Sequence, residues 1–293
     1  VVEFQSPKKI GCPRWIGYAV EHQPGNIHPA GLIGDIMSRF NKLEFGGQFE
    51  EQEATVPVLK DGAYYMSEAQ RAFSSGRFEQ ALRFYARVLE FDPRNVASWS
   101  GQVRMLIELG EFDEARLWAD KALEKFPEES ELLAAKAVAL ARTGDVAAAM
   151  LFSDAAVEAC SDTPYVWLAR GDVLLARKER RAEFCFDKAR GLAARDWMTR
   201  WLASRIHFFH KQFARAFKLA QEALELNTSQ AVLWLQYGQC QMALGLTGPA
   251  ANSFQQARQL DPECRPTDEE RAELDSGGFW TGLRGRWRRI FQG

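Results

Sequence analysis

The chain has little of what most function classes require. Its five cysteines, Cys12, Cys160, Cys185, Cys240 and Cys264, are scattered and form no CxxC pair. That argues against a disulfide framework and a complete zinc site, and makes a reducing compartment the easier home. No apolar run approaches the ~18 residues that a membrane-spanning helix needs. The start shows no charged segment followed by an apolar stretch, so no secretory leader is expected. Lys and Arg total 37 against 39 Asp and Glu, a balance that does not favour bulk nucleic-acid binding. A Gly-rich phosphate loop, HExxH and GxSxG are also missing. No catalytic residue, cofactor or small-molecule substrate is therefore expected, and the chain reads as non-enzymatic.

Histidine is scarce too. His207 and His210 stand at i, i+3 on one expected helix, but a transition-metal site usually takes three or four ligands. Only Cys240, in the next unit, offers itself as a third. Cys12, His22 and His28 are too loosely spaced to make a second candidate. No metal is expected.

What the chain does have is a period. A small residue recurs at Ala81, Ala115, Ala149, Ala182, Ala216 and Ala250, about 34 residues apart, the mark of a repeat array whose units bury their apolar faces only by stacking. Gly76, Gly110, Gly144 and Gly245 precede four of these alanines by the same offset, while Lys178 and Lys211 stand at or near that slot in the other two units. Each unit predicts two antiparallel helices. Trp99, Val103 and Leu106 share one helical face, Gly110 breaks the helix and Phe112 restarts the apolar pattern. Ala115, Ala119 and Ala122 mark the second helix, and Pro127 ends it. The same grammar runs through Tyr65, Ala69, Gly76, Phe78, Ala81, Tyr85 and Pro93, and again through Trp234, Gly238, Gly245, Ala250, Phe254 and Pro262. Small residues let two helices approach closely, and aromatic rings fill the space between units.

This pattern resembles the tetratricopeptide repeat (TPR) family, with W-x3-G at Trp167 to Gly171 and at Trp234 to Gly238. The resemblance implies an all-α, right-handed superhelical solenoid of about six helix-turn-helix repeats over residues 61–264. An irregular docking extension is expected over 1–60, with one short helix from Leu32 to Leu43. A capping helix, Thr267 to Leu274, and a basic amphipathic tail are expected within 265–293. The chain departs from the family pattern around Lys178 to Arg181, and at Ser204 and His207, where a small and an apolar residue are usual. Local irregularity is expected there, without a break in the stack.

The resemblance further implies a concave groove lined by the first helix of each unit. Carried onto this chain, its positions include Gln70, Phe73, Arg104, Ile107, Arg142, Tyr165, Asp172, Trp201, Arg205, Phe208 and Gln239. Aromatic rings and arginine are the types enriched at interface hot spots, and the arginines suit an acidic or phosphorylated segment. The Lys and Asn slots used by chaperone-clamping relatives hold Met66, Ser100, Gln70 and Arg104 instead, which disfavours that role. In the tail, Trp280, Leu283, Trp287, Ile290 and Phe291 form an apolar stripe beside Arg284, Arg286, Arg288 and Arg289. Such a stripe suits an anionic membrane surface or a partner's groove.

The expected role is a cytoplasmic scaffold that captures a peptide or helix of a protein partner and organises a larger complex. Two alternatives remain. One is a membrane assembly factor, peripheral on the inner face, with the tail as lipid anchor. The other is an accessory subunit of an enzyme complex.

Overall fold

The chain divides into two compact units, Val1–Val58 and Leu59–Gly293. The computed structural model describes residues 60–264, all within the second. The extension expected before residue 60, the helix expected over Leu32–Leu43, the capping helix and the tail residues Trp280 to Phe291 lie outside the described residues.

The described residues fold into twelve helices and no strand. Paired in chain order, they make six hairpins: α1 (Gly62–Ser74) with α2 (Phe78–Phe91), α3 (Val96–Leu109) with α4 (Phe112–Lys125), and α5 (Ser130–Thr143) with α6 (Val146–Ala159). The others are α7 (Pro164–Ala176) with α8 (Ala182–Leu192), α9 (Trp197–Phe209) with α10 (Phe213–Leu226), and α11 (Ala231–Ala243) with α12 (Thr247–Leu260). Short polar side chains start several of them. Asp61 accepts from the Tyr64 N–H at 2.8 Å, and Asn95 accepts from Ser98 at 2.9 Å. Asp196 accepts from both Met198 and Thr199, satisfying donors that the first turn leaves unpaired.

The turn between the two helices of a hairpin needs one residue in the left-handed region. Gly76, Gly110, Gly144 and Gly245 provide it with φ between 71° and 99°. Lys178 and Lys211 adopt the same conformation, at φ 60° and 59°, although a side chain there costs roughly 1–2 kcal/mol. At Lys211 the next amide, Gln212 N–H, donates back to the His207 carbonyl at 2.9 Å, as Glu111 does to Leu106 after Gly110. The turn geometry is therefore kept where glycine is missing. In the fourth repeat the irregularity shortens α8 to 11 residues, against 14 in α2, α4, α6, α10 and α12.

The recurring alanines Ala81, Ala115, Ala149, Ala182, Ala216 and Ala250 are all fully buried. Tryptophans tie the second, fourth and sixth repeats to the loop before each: Trp99, Trp167 and Trp234 donate their indole N–H to the carbonyls of Pro93, Ser161 and Thr228. The glycines of the two W-x3-G stretches face an aromatic ring on the second helix of their own hairpin. A Cβ at Gly171 would lie 2.7 Å from Phe186, and one at Gly238 would lie 2.6 Å from Phe254. Gly171→Val is expected to destabilise the fold by about 1–3 kcal/mol through overpacking, read by urea denaturation. Adding Phe186→Leu should recover part of the loss if the ring is what the new side chain meets.

The fifth repeat absorbs its two unusual residues. Ser204 Oγ donates to the Ala216 carbonyl at 2.8 Å, joining α9 to α10. His207 packs on Phe186 with ring centroids 4.4 Å apart, while its Nδ1 lies 2.9 Å from Gln212 Oε1. The stack continues through both.

Candidate functional site: the inner face of the repeats

The inner face is built mainly from the ends of the first helices and the starts of the second ones, and in this chain these residues meet one another. Phe73 at the end of α1 and Phe78 at the start of α2 pack on Trp201 of α9, at centroid distances of 6.2 and 6.0 Å. Glu108 near the end of α3 accepts from Arg205 Nε at 2.6 Å, although 97 residues separate them. Phe112 of α4 meets Phe209 of α9 edge-on at 5.9 Å. Arg104 lies 4.0 Å from the ring centre of Tyr165 and 5.2 Å from that of Phe73.

The centre of this network is ionic. Arg142 of α5 donates through Nε and Nη2 to Asp172 Oδ2 of α7, at 3.1 and 2.7 Å. His210, just after α9, places Nε2 2.7 Å from the other carboxylate oxygen. The Asp172 and Arg142 side chains are only 1% and 8% exposed. Burial by itself would push the Asp172 carboxyl up, but the charge of Arg142 and the His210 hydrogen bond hold it below the usual carboxylate value. For Tyr165 burial wins, and the phenol is raised well above its ordinary range.

The groove residues expected from the sequence thus have distinct fates. Phe73, Arg104, Arg142, Tyr165, Asp172, Trp201 and Arg205 belong to the cross-face network. Ile107 is buried, Gln70 is exposed on α1, and Phe208 packs on Phe213 with centroids 5.2 Å apart. Sequence reasoning missed Glu108 and His210 as partners of the arginine and carboxylate, and Phe78 and Phe112 as inner-face rings. The two phenylalanines did leave a signal, since both stand two residues past the turn glycine.

A cavity of about 220 Å³ remains where the first repeat meets the fifth and sixth. It is lined by Phe78, Trp201, Arg205, Val232, Leu235, Gln236 and Gln239, together with Ser75, Gly76, Arg77, Asp261, Glu263 and Cys264. Drug-sized ligand sites span ~300–1,000 Å³, so this one has room for a single large side chain. Arg77 pairs with Glu263 at 3.2 Å beside it.

Chemistry beyond binding is poorly supplied among the described residues. Burial pushes the Cys240 thiol up to about 11 and the Cys264 thiol up to about 12, leaving them as inert thiols. Among the described residues no group of three or more His, Cys, Asp or Glu could hold a metal ion. None of the described helices is long and apolar enough to cross a membrane.

Two family models, each described as a tetratricopeptide repeat, match the chain at residues 72–137 and 119–164. No curated protein matches it. Among solved structures, a tetratricopeptide repeat protein from Parabacteroides merdae is 19% identical, with 74% of this chain and 84% of that one covered and a TM-score of 0.48. A thermophilic TPR protein from Thermus thermophilus is also 19% identical, over 62% of this chain and 99% of its own, with a TM-score of 0.49. YrrB, a TPR protein with an unusual peptide-binding site, is 17% identical over 69% and 88%, with a TM-score of 0.34. Tetratricopeptide repeats are thus matched from α1 into α7, over residues 72–164, and the six hairpins carry the spacing read from the sequence across the described residues.

Proposed function

We propose that the chain is a non-enzymatic scaffold that captures a peptide or helix of a protein partner and so organises a larger complex. Tetratricopeptide repeats are in general protein-interaction modules, and fold alone specifies no partner. What supports capture at one place is the cavity between the first and the last two repeats. The inner-face arginines are engaged by the chain's own groups: Arg142 by Asp172, Arg104 by Glu131 at 3.6 Å and the Tyr165 ring, and Arg205 by Glu108. At the cavity, the half-buried Phe78 offers apolar surface over the buried Trp201, and Arg205 lends a guanidinium bonded to Glu108 through Nε. Gln239 adds an amide. An anchor side chain buried in a small, well-packed pocket is how most interfaces concentrate their energy.

The test is a pair of full-length variants used as bait in the native cell. Gln239→Trp fills the cavity, and Leu151→Glu changes a residue of α6 that is 71% exposed and does not line it. Partners identified by mass spectrometry should disappear with the first variant and persist with the second. An unchanged partner set with Gln239→Trp refutes capture at the cavity.

The reduced, buried thiols of Cys185, Cys240 and Cys264 favour a cytoplasmic setting for this scaffold. The tail from Trp280 to Phe291 is proposed, from its sequence pattern, as a second contact.

A further inference from the structure

The first repeat touches the last two at the backbone of its turn and through the long side chains around it. The Phe73 and Phe78 rings reach Trp201, and Arg77 reaches Glu263 across 186 residues of sequence. The α1–α2 turn approaches α11 so closely that a Cβ on Gly76 would stand 2.8 Å from Val232. One layer inward, Glu108 and Arg205 join the second repeat to the fifth, with side chains 15% and 27% exposed. By contrast, fully buried alanines recur in every hairpin from the first to the sixth, and the Tyr85 ring of the first repeat packs against Gly101 of the second. In a solenoid, stability is roughly the sum of repeat and nearest-neighbour terms. Contacts between the first repeat and the last two are extra to that sum.

We propose that these contacts are a clasp: the repeats are held in a closed turn by the Phe73–Phe78–Trp201 cluster and the Glu108–Arg205 pair, and open on releasing it while every hairpin stays folded. Closed, the clasp keeps Trp201 at 2% exposure and leaves only the small cavity beside it. Open, it presents Phe73, Phe78, Trp201 and Arg205 along one continuous face. The charged pair is the natural release point. Removing either partner leaves the other half-buried charge without its counter-ion, and hydration then favours the open state. Closure is expected with no partner present, so this inference stands or falls apart from partner capture.

The experiment measures the distance between the first and last repeats in the full chain. Spin labels are placed on cysteines at Arg71 of α1 and Gln256 of α12, both exposed. Cys12→Ser and Cys160→Ser remove background sites, while the buried thiols of Cys185, Cys240 and Cys264 stay unlabelled because burial raises them. The reference protein should give one short distance population. Glu108→Gln, which leaves Arg205 without its counter-ion, and separately the wedge Val232→Trp, should lengthen it by up to ~10 Å, one interhelical spacing, with helicity by circular dichroism unchanged. A distance that stays at the reference value in either folded variant overturns the clasp. Loss of helicity in both variants overturns it equally, since closure would then be an obligatory part of the fold.

Discussion

Asp172→Ala is expected to lower the free energy of unfolding by about 3–5 kcal/mol, the usual result of stranding one member of a buried ion pair. Asp172 is the point where three repeats meet: Arg142 comes from the third, the aspartate from the fourth and His210 from the fifth. Its removal leaves the Arg142 guanidinium, 8% exposed, facing the rings of Phe209 and Phe112 at 4.1 and 5.6 Å. Those rings attract a cation, but they cannot replace a carboxylate that accepts two of its N–H groups. The pair need not add net stability over an apolar substitute. Arg142→Met with Asp172→Leu should therefore lose much less than Asp172→Ala does. Acid titration gives an independent reading. The folded carboxyl is held below its ordinary value of 3.8, so it contributes stability that is present above that pH and lost as the pH falls through the folded value. Urea denaturation at a series of pH values should show a steeper decline below pH 3.8 for the parent than for Asp172→Asn. Equal slopes would mean that the carboxylate is not favoured by its surroundings.

The hairpins were legible in the sequence because their physics is local. Spacing of Trp99, Val103 and Leu106 decides a helical face, and Gly110 decides where it stops. Even the two turns without glycine were marked by position, and Lys178 and Lys211 take the left-handed conformation that the slot requires. The inner face was legible only as a face. The family resemblance implies that Arg205 and Arg142 lie on the concave side, but the spacing of residues carries no information about curvature. Curvature sums small rotations between neighbouring repeats, and it brings Glu108 to Arg205 and Phe112 to Phe209. An arginine read as a waiting ligand can therefore hold a carboxylate of its own chain, as Arg142 holds Asp172. His210 illustrates the same limit. The i, i+3 spacing with His207 offers too few ligands for a metal, and nothing in it shows that His210 meets Asp172, 38 residues earlier.

Trp201→Ala is expected to cost about 3–5 kcal/mol, in the range for deleting a large aromatic ring from a core. How that loss divides is informative about the closed turn. Trp201 is 2% exposed and meets rings from two sources: Trp197 of its own helix at 6.2 Å, and Phe73 and Phe78 of the first repeat. Trp234, one repeat later, is half-buried and bonds the Thr228 carbonyl within its own repeat boundary. Trp234→Ala removes an indole of equal size without touching the first repeat, and should cost clearly less. A cycle with Phe78→Ala then isolates the contact across the closure. The Phe78 and Trp201 rings are nearly parallel, 19° apart at 6.0 Å, and stacked pairs couple by about 0.5–1.5 kcal/mol beyond the area they bury. Coupling of that size would show that the first repeat draws stability from the fifth, a term absent from a stack held only by nearest neighbours. If the two substitutions add without coupling, and Trp201→Ala costs no more than Trp234→Ala, then the inner rings merely lie side by side and the solenoid is held by its neighbour contacts alone.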